Sequence, residues 1–260
     1  MGLTASSTGI CAKDSGLVVK KHSADDKIIA VAGNPNVGKS TLFNALTGLH
    51  QHTGNWPGKT VSSAQGFCRT ENFGYVLVDI PGTYSLLAHS AEEEVARNFI
   101  CFGGADAVVV VCDATCLERS LNLALQVMEI FPKTVVCVNL LDEAKRAGIK
   151  IDLELLEKRL GVPVAGTSAH KKKTLSALTE KLDGICSGKI TPNPRRLSYS
   201  VPIEKAISEV ECEIDERYSA KIPARRLALM LIDSDNSFRN ELKNCFGEDF
   251  FTDKLNLAVE

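Results

Sequence analysis

The chain has 260 residues with 44% hydrophobic and 24% charged side chains, the balance of an ordinary soluble globular protein. Its length suits one good-sized domain, or a domain with a small appendage. A formal net charge of −2 excludes a surface made for nucleic acid, and no apolar run approaches the ~18 residues that span a bilayer, so any membrane part lies elsewhere.

The first 26 residues, Met1 to Asp26, are rich in small residues, Ser and Thr, with neither the apolar core nor the cleavage pattern of a signal peptide. They read as a partly disordered leader or accessory flap. Met1-Gly2 with Ser6 formally fits a myristoylation signal, without other support. Lys27 to Ala32 is apolar and β-prone. It leads into Gly33-Asn34-Pro35-Asn36-Val37-Gly38-Lys39-Ser40, which fits G-x-x-x-x-G-K-[ST]. Thr41 to Leu49 follows with Leu42, Phe43, Leu46 and Leu49 at helical spacing. Strand, glycine loop and helix in that order make a phosphate site: the N–H groups of the loop point inward at a helix N-terminus, where anions are favoured. Lys39 would reach the β- and γ-phosphates and the Ser40 hydroxyl would sit on Mg²⁺.

Leu49 to Ser63 is too polar for core and reads as a functional loop. Ala64 to Thr70 suggests a short strand and Gly74 to Val78 a clearer one, ending at Asp79-Ile80-Pro81-Gly82. Thr83 to Ser90 reads as a second mobile loop. Ala91 to Phe102 follows as a helix with Glu92, Glu93 and Glu94 in its first turn. Asp106 to Asp113 is a Val-rich strand of the kind buried on both faces of a parallel sheet. Leu117 to Phe131 predicts a helix with Leu121, Leu125, Met128 and Phe131 on one side. Thr134 to Leu141 predicts a strand, Leu153 to Leu160 a helix, Val162 to Ala165 a strand and Leu175 to Ile185 a helix. The alternation predicts an α/β fold with a doubly wound, mostly parallel sheet, whose ligand loops lie at the carboxyl ends of the strands.

Ser187 to Pro194 breaks the pattern as a linker. Beyond it the strands stop. Ile203, Ala206, Ile207, Val210, Ile214 and Tyr218 form one helical stripe, Pro223 opens a helix over Ala224 to Ile232, and Asp235 to Phe246 forms another. The expected division is an N-terminal extension over 1–26, a nucleotide-binding domain over 27–187 and a small helical bundle over 188–260.

Nine cysteines without a C-x-x-C pair, some of them (Cys112, Cys137) inside apolar strands, indicate free thiols in a reducing compartment. Cys112 with Cys116, or His50 with His52, lacks a recognisable metal-ligand set.

Other motifs extend the phosphate site. Asp79 after its strand can hold Mg²⁺ through a water, and the Gly82 N–H can meet the γ-phosphate. Thr60 lies where a threonine can swing in and ligate Mg²⁺ only while that phosphate is present. Asn139 and Asp142 form N-x-x-D at a strand end. A carboxylate there accepts guanine N1–H and N2–H, donors that adenine lacks; the plain alternative is that the two residues cap the next helix. Ser168-Ala169 can present an N–H to guanine O6.

Together these residues resemble a translation-factor-class, Ras-like small GTPase, and more closely the cytosolic G domain of the ferrous-iron transport protein B family. The closer likeness rests on Gly33-Asn34-Pro35-Asn36, on Gly54-Asn55-Trp56-Pro57-Gly58 before Thr60, on Asp79-Ile80-Pro81-Gly82-Thr83-Tyr84-Ser85-Leu86 and on Ser90-Ala91-Glu92-Glu93. The tail is similar to that family's helical bundle. The resemblance implies GTP and GDP as ligands, with Mg²⁺ on Ser40, Thr60 and Asp79, and catalytic work by Lys39, Thr60, Gly82 and Asn36. It implies a nucleotide shell of Gly33, Asn34, Pro35, Asn36, Val37, Gly38, Lys39, Ser40, Thr41, Gly58, Lys59, Thr60, Asp79, Ile80, Pro81, Gly82, Asn139, Leu140, Leu141, Asp142, Ser168 and Ala169. It also implies a stimulating K⁺ held by Asn36 and by carbonyls around Gly54 and Trp56. The implied partners are a transmembrane Fe²⁺ permease beyond this segment and a small cytosolic accessory protein, at the cytoplasmic face of the bacterial inner membrane, with room for an oligomer and no role for nucleic acid. A soluble GTPase of ribosome assembly or tRNA modification shares the Gly33-x-Pro35-Asn36 form and is the alternative, and Thr83 suggests a non-catalytic nucleotide sensor as a third reading.

Two positions depart from Ras-type chemistry. Thr83 stands where those enzymes place a water-orienting glutamine, so backbone groups must position the water or hydrolysis is slow. Leu140 stands where the common motif has a lysine that braces the phosphate loop, which predicts quick GDP release.

Overall fold

The computed structural model describes residues 17, 19–48, 51–56, 59–86, 90–219, 222–232 and 236–259. The myristoylation pattern, His50, Gly58 and part of the loop after Thr83 lie outside them. The chain divides into two compact units, Met1–Arg195 and Arg196–Glu260.

The first unit is built on seven strands: β1 (Lys27–Gly33), β2 (Gln51–Asn55), β3 (Ser62–Arg69), β4 (Gly74–Asp79), β5 (Ala107–Asp113), β6 (Thr134–Asn139) and β7 (Val164–Gly166). Their order across the sheet is β2-β3-β4-β1-β5-β6-β7. Pairings from β4 through β7 are parallel, and β2–β3 and β3–β4 are antiparallel. The central strands are apolar at nearly every position because both faces are covered. Along β1 and β5, Ile28, Ala30, Val108 and Val110 enter one core. Ile29, Val31, Val109 and Val111 enter the other, as the two-residue period of a strand requires. Helices α2 (Ala91–Phe102) and α3 (Leu117–Ile130) cover the first face through Phe99, Ile100, Leu123 and Val127. Helix α1 (Lys39–Thr47) and helix α6 (Leu175–Cys186) cover the second through Leu42, Phe43, Leu178 and Leu182. Between them come the short α4 (Leu141–Arg146) and α5 (Leu153–Leu160).

Local chemistry sets the ends. The Ser90 hydroxyl accepts the Glu93 N–H at 3.2 Å, capping α2, and Asp152 accepts the Leu155 N–H at 2.9 Å, capping α5. At the pole of the sheet away from the strand carboxyl ends, the Asp183 carboxylate ties α6 to the β3–β4 hairpin. It accepts the Tyr75 hydroxyl, the Thr70 hydroxyl at 3.0 Å and the Asn72 amide at 2.7 Å.

Three sequence expectations change. The polar stretch read as loop contains β2, an edge strand: one neighbour satisfies it through the backbone, so it needs no alternating apolar face. On α3 the fully buried face is Leu123, Ala124, Val127 and Met128, while Leu121 and Leu125 are partly buried, because apolar residues run round most of this helix and the sheet selects the side. The segment read as linker stays attached to the sheet unit, with Asn193 and Arg195 N–H groups donating to the Gly161 and Leu160 carbonyls at 2.9 Å each.

The second unit is helical: α7 (Val201–Glu213), α8 (Glu216–Ser219), α9 (Ala224–Ile232), α10 (Asn236–Phe246) and α11 (Asp253–Val259). The stripe expected to continue to Tyr218 is interrupted at Asp215, whose carboxylate captures the Arg217 N–H at 2.9 Å and restarts the chain as α8. α11 escaped the periodicity reading because seven residues are two turns. Ile207, Val210, Leu227, Leu231, Leu242 and Leu255 form the core, with Tyr218, Phe246 and Phe250 in mutual ring contact at 4.9 to 5.2 Å. Arg225 grips Glu204 with two bonds of 2.9 Å, and the Tyr199 N–H adds a third at 3.1 Å.

Those bonds from Arg225 and Tyr199 hold the Glu204 carboxyl down at about 2, against an ordinary value of 4.5. A carboxylate depressed by folding contributes stability that is complete above 4.5 and is lost as the pH falls towards 2. Glu204→Gln is therefore expected to lower the melting temperature at pH 7. The gap to the parent should close as the pH approaches 2, as followed by circular dichroism in a series of buffers; a gap that stays constant with pH would contradict this.

Candidate functional site

The strand ends β1, β4, β6 and β7 converge on one edge of the sheet. At β1, Gly33 passes so close to β5 that a Cβ there would lie 2.8 Å from the Val111 carbonyl oxygen. The loop then turns through Asn36 and Gly38, both with positive φ (66° and 78°), and Lys39 opens α1. A Cβ on Gly38 would lie 2.5 Å from Asn139 Nδ2, so glycine lets the loop rest on the end of β6. Pro35, Asn36, Ser40 and Thr41 face the open side. Asn34 is 3% exposed and its side-chain oxygen has no partner.

The Lys39 ammonium bonds to the Asp79 carboxylate at the end of β4. Burial raises the Asp79 pKa and Lys39 lowers it, with burial prevailing. The phosphate-reaching lysine and the magnesium-holding aspartate of the sequence reading thus occupy one spot. Beyond Asp79, the Ile80 N–H donates to Val31 at 3.0 Å and the Thr83 N–H to Gly33 at 3.3 Å. Gly82 lies against Pro35, where a Cβ would come within 3.3 Å of the proline backbone. Thr83 is buried, and its hydroxyl is engaged within its own loop, accepting the Ser85 N–H at 3.1 Å and donating to the Ser85 carbonyl. Gln126 of α3 accepts the Leu86 N–H at 2.8 Å, and the Arg119 guanidinium stacks 4.5 Å over the exposed Tyr84 ring.

The β2–β3 connection is anchored on α2. Trp56 is 3% exposed, its ring edge-on to Phe99 at 5.3 Å, and Lys59 pairs with Glu94 at 2.7 Å. The Trp56 carbonyl, expected on K⁺, accepts the Lys59 N–H at 3.0 Å. Gly54 sits opposite Ser63 in the edge strand, and Thr60 is exposed.

Asn139 is fully buried and joins three loops. Its amide donates to the Val37 carbonyl at 3.0 Å. Its oxygen accepts the Thr167 hydroxyl at 3.0 Å and the Ala169 N–H at 3.1 Å. Leu140 has φ 63°, a strained conformation for leucine, and its carbonyl accepts the Glu143 and Ala144 N–H groups. The Leu141 N–H donates to the Thr167 carbonyl at 3.2 Å. Asp142 lies in the first turn of α4 rather than capping it. One of its oxygens, Oδ1, is buried without a hydrogen-bond partner. Burial pushes this carboxyl up, but the Ser168 hydroxyl, its own backbone N–H, His170 and Lys171 together hold it below its usual range. The two N–H groups expected at guanine O6 are both engaged, Ser168 with the Thr174 hydroxyl at 3.0 Å and Ala169 with Asn139, so that contact requires one bond to be shared or exchanged.

Sequence reasoning missed Thr167 and Thr174, which orient the base loop, and His170 and Arg146, which flank Asp142. Thr167 was within reach, since it directly precedes Ser168-Ala169. Among the described residues no group of three or more His, Cys, Asp or Glu is placed to hold a metal. Cys112 and Cys137 are buried, which raises both thiols, that of Cys137 to about 12.

A family model described as Ferrous iron transport protein B matches residues 27–182, and a second, the FeoB cytosolic helical domain, matches residues 199–256. The Fe(2+) transporter FeoB of Escherichia coli K12 is 39% identical over 179 residues, covering 67% of this chain and 23% of that protein. Its counterpart in Salmonella typhimurium is 42% identical over 159 residues, covering 60% and 21%. The chain thus spans less than a quarter of the curated relatives it matches. The cytosolic domain of T. maritima FeoB in a GDP form superposes with a TM-score of 0.73 at 34% identity, covering 90% of this chain and 92% of that one. The cytosolic domain of L. pneumophila FeoB gives 0.74 at 32%, covering 89% and 92%. By these matches over residues 27–182 and 199–256, the chain belongs to the ferrous iron transport protein B (FeoB) family.

Proposed function

We propose that this chain is the GTP-binding and GTP-hydrolysing portion of a ferrous-iron transporter, working at the cytoplasmic face of the bacterial inner membrane. The observation that carries the reading is the buried, unpartnered Asp142 Oδ1 beside a phosphate loop braced by Asn139. In this reading that oxygen receives a base N–H. Adenine would leave it unpaired, at a cost of about 1–3 kcal/mol. Solved FeoB relatives in GDP and GMPPNP forms support guanine nucleotide as the ligand. Family membership and the helical-domain match weigh against a GTPase of ribosome assembly.

In this reading residues 27–187 form the G domain and residues 188–260 carry the helical domain, their stretch up to Arg195 held by the sheet unit, after an extension over 1–26. Lys39 exchanges its bond with Asp79 for the β- and γ-phosphates. The freed Asp79, with Ser40 and with Thr60 once its loop leaves α2, would hold Mg²⁺. Magnesium supplies neutralisation of the charge that develops on the phosphate oxygens. The Gly82 N–H takes a γ-phosphate oxygen. Because the Thr83 side chain is occupied within its own loop, backbone groups of the Gly54–Thr60 and Gly82–Ser85 loops orient the attacking water. Asn36, which is exposed, would hold K⁺ with the Gly54 and Trp56 carbonyls, and a fixed cation there would contribute several kcal/mol in the transition state. The partners are a transmembrane Fe²⁺ permease and a small cytosolic accessory protein, within an assembly that leaves room for an oligomer.

Calorimetry with Mg²⁺ is expected to show GTP binding at least about 100-fold tighter than ATP, with phosphate released on incubation. Equal affinities would end the proposal, and binding without phosphate release would make the chain a sensor. Hydrolysis is expected to run faster in KCl than in NaCl, with Asn36→Ala erasing the difference; equal rates for the parent in both salts would remove K⁺ from the scheme. Leu140→Lys, restoring a charged brace on the phosphate loop, is expected to slow GDP release about tenfold in stopped-flow measurements, the worth of one charge-assisted hydrogen bond of ~1.5 kcal/mol. An unchanged rate would show that Leu140 does not set retention.

A further inference from the structure

The two oxygens of Asp142 have different surroundings. Oδ1 is buried and unpartnered. Oδ2 lies 3.3 Å from Arg146 Nη2 and 3.4 Å from His170 Nε2. Arg146 reaches it from one turn further along α4, and His170 comes from the loop after β7, where Lys171 adds another positive charge. From that loop the Ser168 hydroxyl also meets the Asp142 N–H, at 3.3 Å. The Arg146 and His170 side chains are 73% and 56% exposed, so either can swing into water without opening the fold.

Guanine brings two donors, N1–H and the 2-amino group, to this one carboxylate. Oδ1 can take one. The two donors are spaced to meet the two oxygens of a carboxylate, so the other falls to Oδ2, which already faces two cationic side chains. A carboxylate oxygen has about two acceptor positions, and Arg146 with a protonated His170 fills both. We propose that His170 is a positioning residue for base recognition: in its protonated form it competes with the second guanine donor for Oδ2, so that proton uptake loosens guanine nucleotides.

This inference rests on the GTP-binding reading and extends it to regulation. Histidine is the side chain whose charge changes between pH 5 and 8. Neutral His170 has no charge to hold it at Oδ2, and in the tautomer with its proton on Nδ1 it offers no donor there, so that Arg146 alone leaves one position open. The competition is mutual, since linkage requires a bound guanine to drive the proton off His170 by the same factor. Hypoxanthine, the base of inosine nucleotides, has N1–H but no 2-amino group, so Oδ1 alone satisfies it and His170 should not affect it. The diphosphate also takes up a proton near pH 6, a change common to both nucleotides, so the ratio of GDP to IDP affinity isolates the base.

The test is calorimetric titration of GDP and of IDP between pH 7.5 and 5.5. For the parent chain the GDP to IDP affinity ratio is expected to fall about fivefold or more over that range. In His170→Ala, and in His170→Gln, which cannot gain charge, the ratio is expected to stay level. A parent ratio that does not change with pH, or a fall that persists in His170→Ala, would overturn the inference and leave the GTP-binding reading intact. Failure of GDP to bind at pH 7.5 would instead remove that reading.

Discussion

One buried amide holds the site together. Asn139 has no exposure to water and bonds to the phosphate loop through Val37, to Thr167, and to Ala169 of the base loop. Segments separated by more than a hundred residues therefore share a single side chain. A buried polar group left without its partners costs about 1–3 kcal/mol, and here each loss would also release a loop. The glycine at position 38 follows from the same constraint, because the amide occupies the space that any larger residue would need.

Electrostatics are concentrated at the open edge. Lys39 and Asp79 neutralise each other there, partly buried, and each is suited to a ligand of opposite charge. Around them the connections take hold of the helices on one face of the sheet. Trp56 and Lys59 engage α2, and Leu86 and Tyr84 engage α3. Displacing Thr60 from its exposed place therefore means reworking contacts with α2. That helix also receives the loop that follows Gly82, through the Ser90 cap. The two loops thus share α2 as an anchor.

Much of this was legible in the sequence. Buried parallel strands declare themselves as apolar runs, and Val108 to Val111 could hardly be anything else. The acidic first turn of α2 and the glycine loop carry their own signals. The motif residues Lys39, Asp79, Asn139 and Asp142 come together at the strand ends because topology places those ends side by side. What could not be read has physical reasons. β2 is a polar edge strand paired with β3 on one side, α4 has six residues and no usable period, and Asp215 interrupts a stripe that remains apolar past it. The partners of Asp142 are chosen by the fold, since His170 approaches from a loop 28 residues away. The prior engagement of the Ser168 and Ala169 N–H groups depends on where Thr174 and Asn139 turn, which spacing does not encode.

Trp56 is the single tryptophan of the chain, and it sits at the joint between the β2–β3 connection and α2. Its indole is enclosed against Phe99, in the one connection whose displacement would bring Thr60 inward. The molecule thus carries a built-in optical probe. Ultraviolet emission from this ring would follow the joint opening and closing in real time, with no dye attached and no second fluorophore of its kind to confuse the signal.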